Sequence, residues 1–312
     1  MDLDFEKKAF EEFLESQGIH FEDADEFFVM RDQGKIIASG AYKGSVIKLL
    51  AVDNKYREEG YLPKMITHIK DQLYKNGVET TYIYTKPEYE SMFKSLGYEV
   101  FAKTDQIVLL LDNFHEYDDF IQRVNDSGKF NACIVMNANP FTWGHRKLVE
   151  YAARNISNVI IFVVEENMSK YSFEDRFKMV EDGLTDIWCE VMPGGKFIIS
   201  DMTFPSYFLK DDTDIARAHA SLDAEIFVSR IAKDLGLRQR YVAKEPFDNM
   251  TAIYNEELKK RQHPLFEVIE IDRYAIDGEI VSASKVRELE AEGKDYSKYV
   301  PETTREIMEK VK

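Results

Sequence analysis

Asn139-Pro140-Phe141-Thr142-Trp143-Gly144-His145-Arg146 follows the apolar run Ala132-Cys133-Ile134-Val135-Met136 and leads into a stretch with helical spacing. A strand that ends in a short turn and resumes as a helix aims the helix's free amides, and the positive end of its dipole, past the strand end. Gly144 removes side-chain bulk where an anion must approach the backbone. Thr142 and His145 bring a hydroxyl and an imidazole that can donate hydrogen bonds to charge building on a phosphate. Taken alone, the turn has plainer readings: His145 as a surface histidine near a helix start, and Thr142 as an ordinary N-cap.

Two further features favour the phosphate reading. The apolar strand Asn158 to Val164 completes a strand–helix–strand unit, and far downstream stands Val281-Ser282-Ala283-Ser284-Lys285-Val286-Arg287. This layout resembles nucleotidyltransferases that attack the α-phosphate of a nucleoside triphosphate. There, Thr or His, any residue, then Gly-His occupies a strand-to-helix turn, and a later Ser-rich turn with Arg one helical turn on closes over the triphosphate. The resemblance makes Thr142, His145 and Arg287 candidate catalytic residues, with Asn137, Asn139, Phe141, Gly144, Ser282 and Ser284 around the nucleotide. Ser282 or Ser284 is placed to cap a helix over 285–292, and Arg287 lies three residues after Ser284, on the same face. The plainer alternatives are capping alone for Ser284, an exposed salt bridge for Arg287, and satisfaction of the turn's own backbone for Asn137 and Asn139.

The chain has 312 residues, enough for two domains, with 44% hydrophobic and 31% charged residues, a soluble globular composition. A net charge of −16 argues against a broad nucleic-acid or anionic-membrane surface. It leaves ATP open, since a phosphate site needs only a few local donors. Cys133 and Cys189 are too few for a disulfide framework and lie in no metal-ligand spacing. The acidic start lacks the features of a signal peptide, and no apolar run reaches membrane-spanning length, so a cytoplasmic protein is expected.

From residue 131 strands and helices alternate. The pattern predicts strands at 132–137, 158–164, 196–200, 240–243 and 266–271. It predicts helices at 143–154, 173–184, 222–235, 249–261 and 284–292, with a last helix from Pro301. Such alternation means a parallel sheet covered on both faces, a Rossmann-like α/β domain that binds ligands beyond the carboxyl ends of its strands. Residues 1–112 read differently. An amphipathic helix carries Phe5, Ala9, Phe13 and Leu14, and meander-like strands with Gly-bearing turns follow. A helix then runs from Gly60 to about Tyr74, and a short one starts at Pro87 between further strands. Residues 113–130, polar and acidic, are the expected linker, part helical.

Residues 131–311 resemble the nucleotidyltransferase domain of the citrate lyase ligase family. Beyond Met136 to His145 and Val281 to Arg287, the likeness rests on Val163 to Asn167, Phe173-Glu174-Asp175-Arg176, Thr203 to Lys210, Lys244-Glu245-Pro246 and Thr251 to Asn255. Thr203-Phe204-Pro205-Ser206-Tyr207-Phe208 is the most specific of these blocks. Residues 1–112 resemble an acetyltransferase-like (GNAT-like) α+β domain through Val52 to Leu62 and Phe93 to Tyr98. That fold cradles a CoA pyrophosphate with an Arg-x-x-Gly-x-Gly turn. Here Leu62 stands at the second Gly, and Glu58 and Glu59 add negative charge, so a scaffold or docking role is expected rather than acetyl-CoA chemistry.

The resemblance implies an ATP- and Mg²⁺-dependent acid–thiol ligase. Its implied partners are acetate and the acyl-carrier subunit of citrate lyase with its CoA-like prosthetic group, which would be acetylated through acetyl-AMP. Magnesium would ride on the ATP phosphates, with no protein metal ligands. The resemblance adds Lys170 and Arg176 as cations near the triphosphate and Lys210 as a contact to the acceptor phosphate; an ion pair with Glu174 or Asp175 is the alternative for Arg176. Phe141 and Trp143 either pack under the nucleotide or belong to the core, and Tyr254 and Asn255 either line the pocket or pack. Two other functions stay open: a free-standing adenylyl- or cytidylyltransferase acting on a small phosphorylated acceptor, and a non-catalytic carrier- or acyl-CoA-binding protein.

Overall fold

A computed structural model of the chain describes residues 3–165, 169–198, 212–245 and 249–311. They form two compact units: one holds 3–118 and 212–222, the other the remaining described residues.

The first unit begins with α1 (Leu3–Ser16), followed by β1 (Glu26–Asp32), β2 (Lys35–Lys43) and β3 (Val46–Val52). Next come α2 (Tyr61–Lys75), β4 (Tyr82–Thr85), α3 (Glu90–Ser95), β5 (Glu99–Lys103) and β6 (Val108–Leu111). The sheet runs β1-β2-β3-β4-β6-β5. Met65, Ile66, Ile69 and Leu73 recur at helical spacing and bury one face of α2 against Ile47, Ile83 and Leu110. On the other side α1 packs Phe10, Phe13 and Leu14 against Ala41, Leu49 and Ala51. All pairings are antiparallel except β3–β4, which are parallel and share only Val46↔Tyr82 and Ile47↔Ile83.

α4 (His115–Ser127) spans the boundary between the units, which falls at Asp118/Asp119, so the stretch read as a linker is largely helix. The second unit continues with β7 (Ala132–Met136), α5 (Trp143–Asn155), β8 (Val159–Val163), α6 (Phe173–Gly183) and β9 (Cys189–Pro193). α7 (Asp212–Ile226) runs through a π-helical stretch, Phe227–Ala232, into the single turn α8 (Lys233–Leu235). Then follow β10 (Gln239–Ala243), α9 (Asn249–Lys260), β11 (Glu267–Ile271), the hairpin β12 (Ala275–Ile276) and β13 (Glu279–Ile280), α10 (Ala283–Ala291) and α11 (Glu302–Lys310).

The order β11-β10-β7-β8-β9, every pairing parallel, is the expected doubly wound sheet. Ile134, Ile161 and Val163 face α5, α6 and α11 through Val149, Met179 and Met308, while Phe162 meets Phe120 of α4 on the other side. β7 pairs with β8 over five residues but with β10 only at Gln239↔Ala132 and Arg240↔Cys133. The strand order reverses there, so the carboxyl ends of β7 and β10 flank the crevice where such sheets take ligands.

Three expectations change. The third strand lies at 189–193 rather than 196–200, and Gly195–Phe197 is a 3₁₀ turn. The helix expected at 222–235 starts at Asp212, and the β12–β13 hairpin precedes the Ser-rich turn. Among the described residues no helix is long and apolar enough to cross a membrane.

Candidate functional site

The turn after β7 is packed from beneath. Phe141 is fully buried, its ring stacked on the His145 imidazole at 5.7 Å and 16°, and Gly183 leaves the room it fills. Phe141 is thus not a nucleotide contact as expected: no face of it reaches solvent. Thr142 is 1% exposed and N-caps α5, its hydroxyl accepting from the His145 N–H at 3.4 Å. In return the Thr142 N–H donates to His145 Nδ1 at 3.0 Å, a capping box closed by an imidazole in the place usually held by Glu or Gln. The hydroxyl also lies 3.0 Å from Nδ1. Thr142 therefore sets the imidazole rather than facing an anion, which corrects its expected part as a phosphate donor.

This contact decides His145's proton. A nitrogen that accepts from a backbone N–H carries no proton, so the neutral ring holds its hydrogen on Nε2 and presents it as a donor. Burial first, and the charge of Arg273 second, push the His145 pKa down to about 4. The ring is neutral near pH 7.

The second motif meets this turn. Ser282 caps α10, accepting from the Lys285 N–H at 3.2 Å. A Cβ on Gly144 would stand 3.2 Å from the Val281 carbonyl oxygen, so the start of α10 is pressed against the start of α5. Arg287 donates to the Asn139 carbonyl through Nη1, and to Ser284 Oγ at 3.2 Å through Nη2. The guanidinium at 287 thus reaches the turn that carries His145, 148 residues from its partner Asn139 in sequence.

The remaining cations divide. Lys170 Nζ lies 2.5 Å from Glu290 Oε2, and the Tyr171 hydroxyl donates to the same oxygen at 2.5 Å. That carboxylate, 4% exposed, ties α10 to the loop before α6; burial first, and the bond to Glu290 second, raise the Tyr171 pKa. Arg176 is fully buried; it donates to the carbonyl oxygens of Asn137 and Val164 at 2.7 and 2.9 Å, to Asn137 Oδ1 at 2.5 Å, and to the Tyr171 carbonyl at 3.3 Å. It braces the ends of β7 and β8 and is not a cation open to a triphosphate, which corrects that expectation. Asn137 is exposed and donates to Ser169 at 3.1 Å; Asn139 Oδ1 accepts from the Tyr171 N–H at 3.4 Å. Both side chains tie the turn to the loop before α6. Tyr254 is half-buried and accepts from Arg240 at 3.0 Å, and Asn255 donates to the Ala243 carbonyl at 3.1 Å, so both pack. Lys210 and the Thr203–Lys210 block lie outside the described residues.

The sequence reading passed over Arg273. It follows β11, donates to the Lys244 carbonyl at 2.9 Å, pairs with Glu245, and is the cation whose field reaches His145. Its signal was an arginine just past the carboxyl end of the strand beside β10, where open sheets place ligand contacts. Among the described residues no group of three or more His, Cys, Asp or Glu side chains is placed to hold a metal ion.

Against known proteins, the family described as "Citrate lyase ligase C-terminal domain" matches residues 131–308. The chain is 33% identical to a [citrate [pro-3S]-lyase] ligase of Haemophilus influenzae over 96% of this chain and 93% of that protein. It is 34% identical to one of Klebsiella pneumoniae, over 91% and 86%. A solved structure described as a nicotinate-nucleotide adenylyltransferase, from Vibrio parahaemolyticus, covers 58% of this chain and 93% of its own at 14% identity and a TM-score of 0.35. With the match running from the strand before the Gly-His turn to the last helix, and with relatives alike along nearly their whole length, the chain belongs to the citrate lyase ligase family.

Proposed function

We propose that the chain is an acid–thiol ligase that spends ATP to acetylate the thiol of the CoA-like prosthetic group on the acyl-carrier subunit of citrate lyase. The observation that carries this reading is the meeting of two helix starts, with Arg287 bonded to the Asn139 carbonyl and Gly144 against Val281. Two sets of free amides then face one anion. Family membership supplies the acyl group and the acceptor.

In the first step an acetate oxygen attacks the α-phosphorus of ATP, the bond to the β-phosphate oxygen breaks, and pyrophosphate leaves. His145 donates from Nε2 to the charge that builds there, and Arg287 and Ser284 exchange their mutual bond for the departing phosphates. Lys170 and Arg273, each paired with one carboxylate, are the further cations on which the reading draws. Mg²⁺ enters on the triphosphate and neutralises part of its charge. The carrier thiol then attacks the acyl carbon, AMP leaves, and the thiol's proton passes to solvent. No side-chain nucleophile takes part, and Nδ1 of the neutral His145 does not act as a base, since its lone pair accepts from the Thr142 N–H.

Acetate-dependent exchange of labelled pyrophosphate into ATP tests the reading. Exchange should occur, and His145→Ala should lower it by about 10²-fold or more with the fold intact. Exchange driven by a phosphorylated acceptor but not by acetate would favour a plain nucleotidyltransferase, and no ATP turnover at all a binding protein.

A further inference from the structure

α10 carries Ser284 and Arg287, yet little apolar packing fixes it. Of its nine residues only Val286 is fully buried, with Leu289 packed beside the core. Polar ties therefore set how the helix lies. Arg287 grips the turn after β7 through the Asn139 carbonyl. Glu290, three positions on and on the same face, grips the loop before α6. Lys285 bonds elsewhere, to Glu279 of the β12–β13 hairpin at 2.7 Å.

The loop that Glu290 grips is itself fixed. Tyr171 is 4% exposed; its N–H donates to Asn139 Oδ1 at 3.4 Å, and its carbonyl accepts from the buried Arg176 at 3.3 Å. Glu290 Oε2 accepts from the Tyr171 hydroxyl and from Lys170 Nζ, each at 2.5 Å. These two donors differ. The Lys170 side chain is 43% exposed, so it can turn toward an incoming anion. Tyr171 cannot, because its ring belongs to the core. A hydroxyl bonded to a carboxylate away from solvent is the tie that a ligand's charge leaves in place.

We propose that Glu290 is a positioning residue: bonded to Tyr171, it keeps α10 seated on this loop, so that Arg287 meets the phosphates from a fixed helix. That Arg287 turns to phosphate rests on the proposed function; the seating of α10 by Glu290 does not.

The test uses the full-length chain. Glu290→Leu removes the acceptor, Tyr171→Phe removes only the hydroxyl, and Glu290→Gln keeps an oxygen for Tyr171. The first two should each lower kcat for acetate-dependent pyrophosphate exchange by about tenfold, with less change in the KM for ATP. Both together should lower it no further than Glu290→Leu alone, and Glu290→Gln should stay near the parent. In an Arg287→Ala background Glu290→Leu should add little, because its effect runs through Arg287. Hydrogen exchange of the amides over 283–291, without ATP, should quicken in Glu290→Leu and less in Tyr171→Phe, where Lys170 still holds the carboxylate. Parent-like kinetics in Glu290→Leu, equal loss in Glu290→Gln, or losses that multiply with Arg287→Ala would each overturn the inference and leave the ligase reading intact. Absence of pyrophosphate exchange in the parent sinks the ligase reading instead. The amides of α10 then decide alone: unchanged protection in Glu290→Leu overturns the seating, and quickened exchange upholds it.

Discussion

Each sheet has one parallel strand pair that meets over only two residues and then separates, β3 with β4 in the first unit and β7 with β10 in the second. In both, the strand on one side of the opening leads through a short turn into a long helix that starts beside a glycine, Gly60 or Gly144. The turns differ. Residues 53–60 include Asp53, Glu58 and Glu59, and the gap beside them stays open as a cavity. Residues 137–144 include no acid, and Phe141 and Thr142 are packed solid beneath His145. The second turn carries no acid and holds its donors fixed, as the proposed polyphosphate site demands.

The sharpest way to break this comparison is to remove the brace under the second turn. Arg176→Met leaves several buried carbonyl oxygens without their donor and should cost about 3 kcal/mol or more, read as a lowered melting temperature. Little change would mean the packed turn is not held as described. The two glycines come next, because they do different work. Gly144→Ala should lower pyrophosphate exchange by about tenfold with little loss of stability, because its Cβ presses on the Val281 carbonyl and parts α10 from α5. Gly60→Ala meets no atom within 4 Å but takes on a φ of 74°, so it should cost about 1 kcal/mol of stability and leave exchange alone. The reverse pattern would undo the contrast.

A further test is a pH slope. The folded His145 pKa, about 4, lies below the ordinary 6.5, so between these values the unfolded chain binds a proton that the native one does not. Stability from this site is complete above pH 6.5 and is lost as pH falls toward 4. His145→Gln should flatten that slope in acid melts, and an imidazole proton resonance titrating near 6.5 in the native protein would refute the neutral-donor assignment.

Periodicity made most of the second unit legible, because fully buried strands such as Val159–Val163 are short apolar runs between turn residues. It failed at β9, an edge strand of which every residue is half-buried, so that Cys189-Glu190-Val191-Met192-Pro193 shows no clear pattern while the more apolar 196–200 drew the assignment. It failed at the start of α7 for a similar reason: Asp212-Thr213-Asp214 reads as loop, and only the structure joins it to the apolar residues that follow. At the candidate site, local sequence picked out Gly144, His145, Ser282 and Arg287, which the two helix starts bring together, because helix starts have local signatures. It misjudged Phe141, Thr142 and Arg176, because whether an aromatic ring, a hydroxyl or a guanidinium faces solvent or the interior is fixed by residues far away, such as Gly183 and Val164.

The amide that holds His145 in its donor form belongs to the main chain. Proton placement in the ring is therefore independent of which side chain precedes it by three positions, provided the helix still begins there. Thr142→Ser or Thr142→Ala should keep the same tautomer and much of the exchange activity. The least replaceable instruction at this turn is written in its backbone, and among single substitutions at 142 proline, which has no N–H, is the one that would erase it.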